Sequence, residues 1–90
     1  MDNNIPEVGY KDLNLKAILE DMARAIVESP ESVEVIEELK EDGSVLLKLK
    51  VAEDDMGMII GKHGKIARAL RTVTKAAAKI ADKKVTVEIR

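Results

Sequence analysis

The run Gly57-Met58-Ile59-Ile60-Gly61-Lys62-His63-Gly64-Lys65-Ile66 constrains this chain more than any other stretch. It sets three glycines and two lysines between an apolar segment and a long helical pattern. Glycine lets the backbone enter φ > 0 and lets another backbone approach with no Cβ in the way, so Gly61 and Gly64 predict a tight turn. The residues that follow begin a helix, whose first amides have no partner within the helix and whose dipole favours an anion. Lys62 and Lys65 supply countercharge. The stretch therefore predicts a turn that grips phosphate.

The elements around it follow from periodicity. Residues 1–11 contain Asn3, Asn4, Pro6 and Gly9 without a repeating pattern, which predicts a loose N-terminal arm ahead of a domain over 12–90. Asp12 or Asn14 can cap a first helix, along which Leu15, Ile18, Leu19, Met22, Ile26 and Val27 recur at helical spacing. Pro30 is expected to stop that helix at about Ser29. Val33 to Lys40 predicts a strand, with a bulge expected at Ile36, where the alternation breaks. Glu41-Asp42-Gly43 predicts a turn. Val45 to Val51 follows as a second strand, with Leu47, Leu49 and Val51 on one face and Lys48 and Lys50 on the other. Glu53-Asp54-Asp55 favours the start of a short helix ending at Ile60. After the glycine turn a long helix is expected from about Lys65 to Asp82, then a third strand from Lys84 to Arg90. The order αββααβ, with a three-stranded sheet and helices packed on one face, is an α+β architecture.

Charge divides at the same glycines. Residues 1–57 carry six Lys or Arg against fifteen Asp or Glu, net −9, whereas residues 58–90 carry nine against two, net +7. Such an asymmetry draws a phosphate-bearing partner to one half and repels it from the other. Projected at about 100° per residue, the long helix shows an apolar stripe of Ile66, Leu70, Val73, Ala77 and Ile80. Arg68, Arg71, Lys75 and Lys79 gather on its far side. Like charges at these spacings repel, and an anionic partner relieves the repulsion.

The motif and the order of elements resemble a type II KH domain. Over residues 12–90 the chain is similar to the KhpA-like family of small bacterial single-KH RNA-binding proteins. The resemblance rests on Ser29-Pro30-Glu31-Ser32-Val33 after the first helix and on Val51-Ala52-Glu53-Asp54-Asp55-Met56-Gly57 leading into Ile59-Ile60-Gly61-Lys62-His63-Gly64. Ala67-Arg68-Ala69-Leu70-Arg71 completes it. It implies that the Gly61-Lys62-His63-Gly64 turn holds the backbone of about four nucleotides of single-stranded RNA or DNA, with Lys65, Arg68 and Arg71 beside it. It also implies an aliphatic groove for the bases, with Ile59, Ile60, Ala67, Leu70 and Val87 as candidates, in which strand backbone groups read base edges. Many KH domains carry Ile where Ala67 stands, so a wider groove with weaker base selection is implied here. The resemblance implies a homodimer or a pairing with a second KH-containing protein, and an RNA chaperone or post-transcriptional regulator; a cytoplasmic home is the default expectation for a chain without a signal peptide or membrane span.

Other chemistry fails on the residues. The chain has no Phe, no Trp and one Tyr, Tyr10, which argues against the aromatic stacking platforms of RRM and OB-fold binders. The glycine run is one residue short of a nucleotide-binding P-loop and has His63 where the magnesium-binding hydroxyl would stand. One histidine and no cysteine make neither a metal cluster nor a nucleophile with its base, so neither cofactor, small-molecule substrate nor enzymatic activity is expected. The acidic start Met1-Asp2-Asn3-Asn4, with no long apolar run after it, reads as neither signal peptide nor membrane span. Two classes stay open: an RNA-binding module, or a protein interaction module working through Ala76, Ala77 and Ala78 or the exposed sheet, whose RNA binding depends on a partner.

Overall fold

The computed structural model describes residues 13–90, apart from the side chain of Lys62. The arm expected over residues 1–11, with Tyr10, and the alternative cap Asp12 lie outside the described residues.

Helix α1 spans Leu15–Ile26 and starts at Asn14, whose side chain accepts from the Ala17 amide at 3.0 Å, as a helix N-cap does. It ends at Ile26, three residues short of the expected Ser29. The reason is a competing acceptor: the carboxylate of Asp55 takes the amides of Glu28 and Ser29, at 3.0 and 3.2 Å. A short 3₁₀ turn, Pro30–Ser32, leads into β1 (Glu34–Leu39). Strand β2 (Val45–Lys50) returns antiparallel, after a turn in which Gly43 takes φ +88° and Ser44 donates to Asp42 through both its amide and its hydroxyl.

The β1–β2 register runs without interruption from Glu34 opposite Lys50 to Leu39 opposite Val45. The bulge expected at Ile36 is therefore absent. Ile36 keeps its place in the alternation and points away from the helices, half exposed at 48%.

A helical run, Glu53–Ile80, follows, and it contains two consecutive left-handed residues, His63 at φ +64° and Gly64 at φ +66°. Right-handed helix cannot pass through that conformation, so the run is two helices meeting at a break. We name residues 53–62 α2 and residues 65–80 α3. The α2 segment thus outlasts the expected end at Ile60 and carries Gly61 within it. Helix α3 closes with Asp82 at φ +60°, the Lys83 amide on Ala78 O at 2.8 Å and the Asp82 amide on Lys79 O at 3.1 Å. This is a Schellman end with Asp in the place glycine usually takes. Strand β3 (Val85–Ile89) then lies parallel to β2, giving the sheet order β1-β2-β3.

Val35, Leu47, Leu49, Val85 and Val87 share the inner face of the sheet and pack with Leu19, Ala23, Ile59 and Leu70 from the helices. Leu19, Leu47, Leu49 and Ile59 are completely enclosed, each contributing about 1.5–3 kcal/mol of burial. The apolar stripe expected on α3 is corrected here. Val73 and Ile80 are 48% and 60% exposed, while Ala67, Thr74 and Ala78 join Leu70 in the buried face. The helix has turned Ala67 and Ala78 into the core beside Leu70 and Thr74. Thr74 tolerates complete burial because its hydroxyl donates to Leu70 O at 2.7 Å.

Candidate nucleic-acid interface

The left-handed pair gives the glycine turn its shape. The left-handed conformation costs a non-glycine residue about 1–2 kcal/mol, and His63 is among the residue types that adopt it more readily than most. Strain of this kind persists where its surroundings hold it, and here Arg68 Nη2 donates to His63 O at 3.3 Å. His63 itself faces solvent.

Gly64 fits the expectation of φ > 0; Gly61 does not. Gly61 lies in the helical run with no left-handed φ, and a Cβ added there would meet nothing within 4 Å. Neither backbone conformation nor internal packing requires glycine at this position. Its remaining physical effect is external: it keeps the surface flat where another molecule's backbone can approach. Gly61 lines a cleft of about 470 Å³ with Gly57, Met58, Lys65 and Ile66. A second, apolar groove of about 430 Å³ shares Lys65 and Ile66 and continues between α1 and α3 past Ile26, Ala69 and Val73.

Among the described residues, the basic side chains of α3 are not spent on ion pairs. Lys65, Arg68, Arg71, Lys75 and Lys79 are exposed along α3. The ion pairs among the described residues, Arg24–Glu20, Lys48–Glu38 and Arg90–Glu88, involve none of them. The acidic strand β1, with Glu34, Glu37 and Glu38 exposed, occupies the opposite edge of the sheet from β3. The sequence asymmetry is thus a spatial one, and it orients an anion towards the turn and β3. Two depressed carboxyls lie away from the turn. A hydrogen bond from Lys48 holds Glu38 below its ordinary value, and one from the Ser44 hydroxyl does the same for Asp42.

The structure links several of the expected site residues. Arg68 reaches the turn at His63, Lys65 shares a cleft with Gly61, and Arg71 Nε donates to Val87 O on β3 at 3.3 Å. Among the aliphatic groove candidates, Ile60 is 51% exposed, whereas Ile59, Ala67, Leu70 and Val87 are buried in the core. Those four belong to the core that Ile60 overlies, so the expected groove lining is reduced to Ile60 at the surface. Met58 at the mouth of the cleft is 42% exposed and was missed by sequence reasoning, although its place between Gly57 and the turn was a usable signal.

Among the described residues no helix is long and apolar enough to cross a membrane, and no group of three or more His, Cys, Asp or Glu could hold a metal ion.

Comparison with known proteins identifies the fold and the family. The family profile described as "KhpA/KhpB, KH domain" matches residues 16–89. A protein of Clostridium perfringens named "RNA-binding protein KhpA" is 52% identical over 75 residues, covering 83% of this chain and 99% of its own. Its namesake in Clostridium acetobutylicum is 51% identical over 75 residues with the same coverage, and that of Caldanaerobacter subterraneus is 47% identical over 72 residues, covering 80% of this chain and 95% of its own. Among solved structures, Era in complex with MgGDPNP and a 16S ribosomal RNA fragment superposes with a TM-score of 0.51 at 19% identity. The match covers 87% of this chain and 31% of that one, a likeness of fold.

Proposed function

The chain belongs to the KhpA/KhpB KH-domain family, and from that membership we propose that it binds about four nucleotides of single-stranded RNA. The Gly61-Lys62-His63-Gly64 turn grips the phosphate backbone, Lys65, Arg68 and Arg71 add charge beside it, and the bases lie over Ile60 towards β3. Its relatives' names support the ligand. The observation that carries the reading on this chain is the set of exposed cations on α3, without ion-pair partners among the described residues, beginning at a left-handed turn. We read the molecule as a cytoplasmic RNA chaperone or post-transcriptional regulator that works by occupying RNA, without catalysis.

The test is fluorescence anisotropy of a labelled random single-stranded RNA pool at low and moderate salt. Three or four phosphate contacts give a log–log salt slope of roughly −2 to −3. Lys62→Asp with His63→Asp removes binding while circular dichroism stays unchanged, since aspartate also tolerates the left-handed conformation. Undiminished binding by a folded double variant would move the site elsewhere.

A second reading concerns partners. The exposure of Val73, Ile80 and Ile26, at 48%, 60% and 41% beside the apolar groove, favours a homodimer or a pairing with a second KH-containing protein. One groove of this size binds weakly alone, and linked copies gain avidity. Sedimentation equilibrium of wild type and Val73→Glu tests the homodimer: the wild type dimerises and the variant sediments as a monomer. A monomeric wild type would remove this reading.

A further inference from the structure

Helix α3 leaves an apolar seam uncovered on its side towards α1. Ile66, Val73 and Ile80 recur along it at seven-residue spacing, half-buried at Ile66 but 48% and 60% exposed at the other two, and Ile26 of α1 lines the same groove. The two helices run in opposite directions beside this seam. Helix α1 leads into β1 at the end of the sheet where β3 finishes, and α3 leads into β3 at the other end. The start of α1 therefore lies at the Ile80 end of the seam.

What leaves the domain at that point is the segment 1–12, which lies outside the described residues. Fully extended it spans about 40 Å, whereas α3 from Ile80 back to Ile66 is about 21 Å long. Counted back from Leu13, Tyr10 reaches about 10 Å along the seam and Ile5 about 26 Å. Tyr10, Val8 and Ile5 can thus succeed one another over Ile80, Val73 and Ile66.

The charges match as well. Residues 1–12 carry Asp2, Glu7 and Asp12 against Lys11, net −2, while residues 65–80 carry five Lys or Arg and no acid, net +5. Lys65 lines the groove itself. A second copy would bring another α3 of the same sign to the seam, a juxtaposition that costs binding. The segment is also an addition to the domain. The family match begins at residue 16, and 75 residues cover 99% of the Clostridium perfringens relative, so the segment belongs to this chain more than to its family.

We infer that residues 1–12 fold back along the α1–α3 seam, with Tyr10 over Ile80 and with Val8 and Ile5 beyond it towards Ile66. This goes beyond the pairing reading: the seam has an occupant of its own, and a second copy must displace it.

Tyr10 is the only aromatic residue of the chain, so its fluorescence reports on this segment alone. The experiment quenches it with acrylamide in the full-length protein, over concentrations at which sedimentation equilibrium gives the monomer fraction. N-acetyltyrosinamide is the fully exposed reference, and circular dichroism follows folding. Wild type is quenched less than the reference even where it is monomeric. Ile80→Glu, and separately Ile5→Ser with Val8→Ser, raise quenching to the reference value; the second pair of changes lies outside the packed domain. The inference is overturned by wild-type quenching equal to the reference, by shielding that either folded variant leaves in place, or by shielding that grows only as a dimer forms. A wild type that stays monomeric with Tyr10 shielded removes the pairing reading alone. A dimer with Tyr10 quenched like the reference removes this inference alone.

Discussion

Asp55 offers the sharpest test of how the site is held in place. It is 3% exposed, sits in the first turn of α2, and accepts the amides of Glu28 and Ser29 just past the end of α1. Asp55→Ala leaves both donors without a partner. Hydrogen bonds to a charged group are worth about 1.5–3 kcal/mol each. Because Glu28 is exposed and Ser29 half-buried, water recovers part of this, and a loss of about 2–4 kcal/mol is expected. Against a total of about 5–15 kcal/mol for a typical domain the loss is large. At about 4–8 °C per kcal/mol for a chain of this size it lowers Tm by roughly 10–30 °C. Asp55→Asn keeps one acceptor and loses about half as much. Urea unfolding followed at 222 nm measures both variants. A destabilisation below about 0.5 kcal/mol for Asp55→Ala would refute the reasoning, since that is the scatter of ordinary surface substitutions.

Two further outcomes follow from the geometry. Gly61→Ala, at a helical position with open space around it, stabilises the fold by about 0.5–1 kcal/mol yet weakens RNA binding, read by unfolding and anisotropy on the same sample; unchanged affinity would remove the argument that a flat surface is needed there. Glu38 and Asp42 have depressed folded-state pKa values, so the stability they contribute is present above their ordinary values of 4.5 and 3.8 and is lost as pH falls through the lower folded values. Glu38→Gln should flatten part of the acid limb of a stability–pH curve, and an unaltered limb would show that its pairing with Lys48 adds nothing.

Much of the fold could be read from local pattern. Alternation in β2 and the cap at Asn14 are local signals, and each lies where the pattern places it; the glycine turn is there too, but narrowed to His63 and Gly64, with Gly61 still helical. Two features could not be read that way. The acidic run Glu53-Asp54-Asp55 was legible as a helix start, but the partners of Asp55 lie 26 and 27 residues away, and no spacing rule reaches across a sheet. On α3 the expected stripe was Ile66, Leu70, Val73, Ala77 and Ile80, whereas the buried face is Ala67, Leu70, Thr74 and Ala78, with Ile66 and Ala77 packed at its margin. Hydropathy favours the first, but packing against the sheet and α1 turned the helix so that Ala67, Thr74 and Ala78 are buried and Val73 and Ile80 are exposed. Of the site, the basic residues and the turn were legible. The capping of Val87 by Arg71 was not, because the side chain of a helix and the backbone of a strand meet only in three dimensions.

The parallel placement of β3 has a kinetic consequence. Residues paired across the β1–β2 hairpin lie between six and sixteen positions apart, whereas every β2–β3 pair is separated by forty. Closing the longer loop costs more entropy and contributes later to folding. The hairpin and helices therefore assemble first, β3 docks last, and the same order in reverse governs opening. Hydrogen exchange would show it, with amides bonding β3 to β2 exchanging ahead of those bonding β1 to β2. A molecule caught in that partly open state keeps its helices and its hairpin and lacks the strand whose Val87 carbonyl accepts from Arg71.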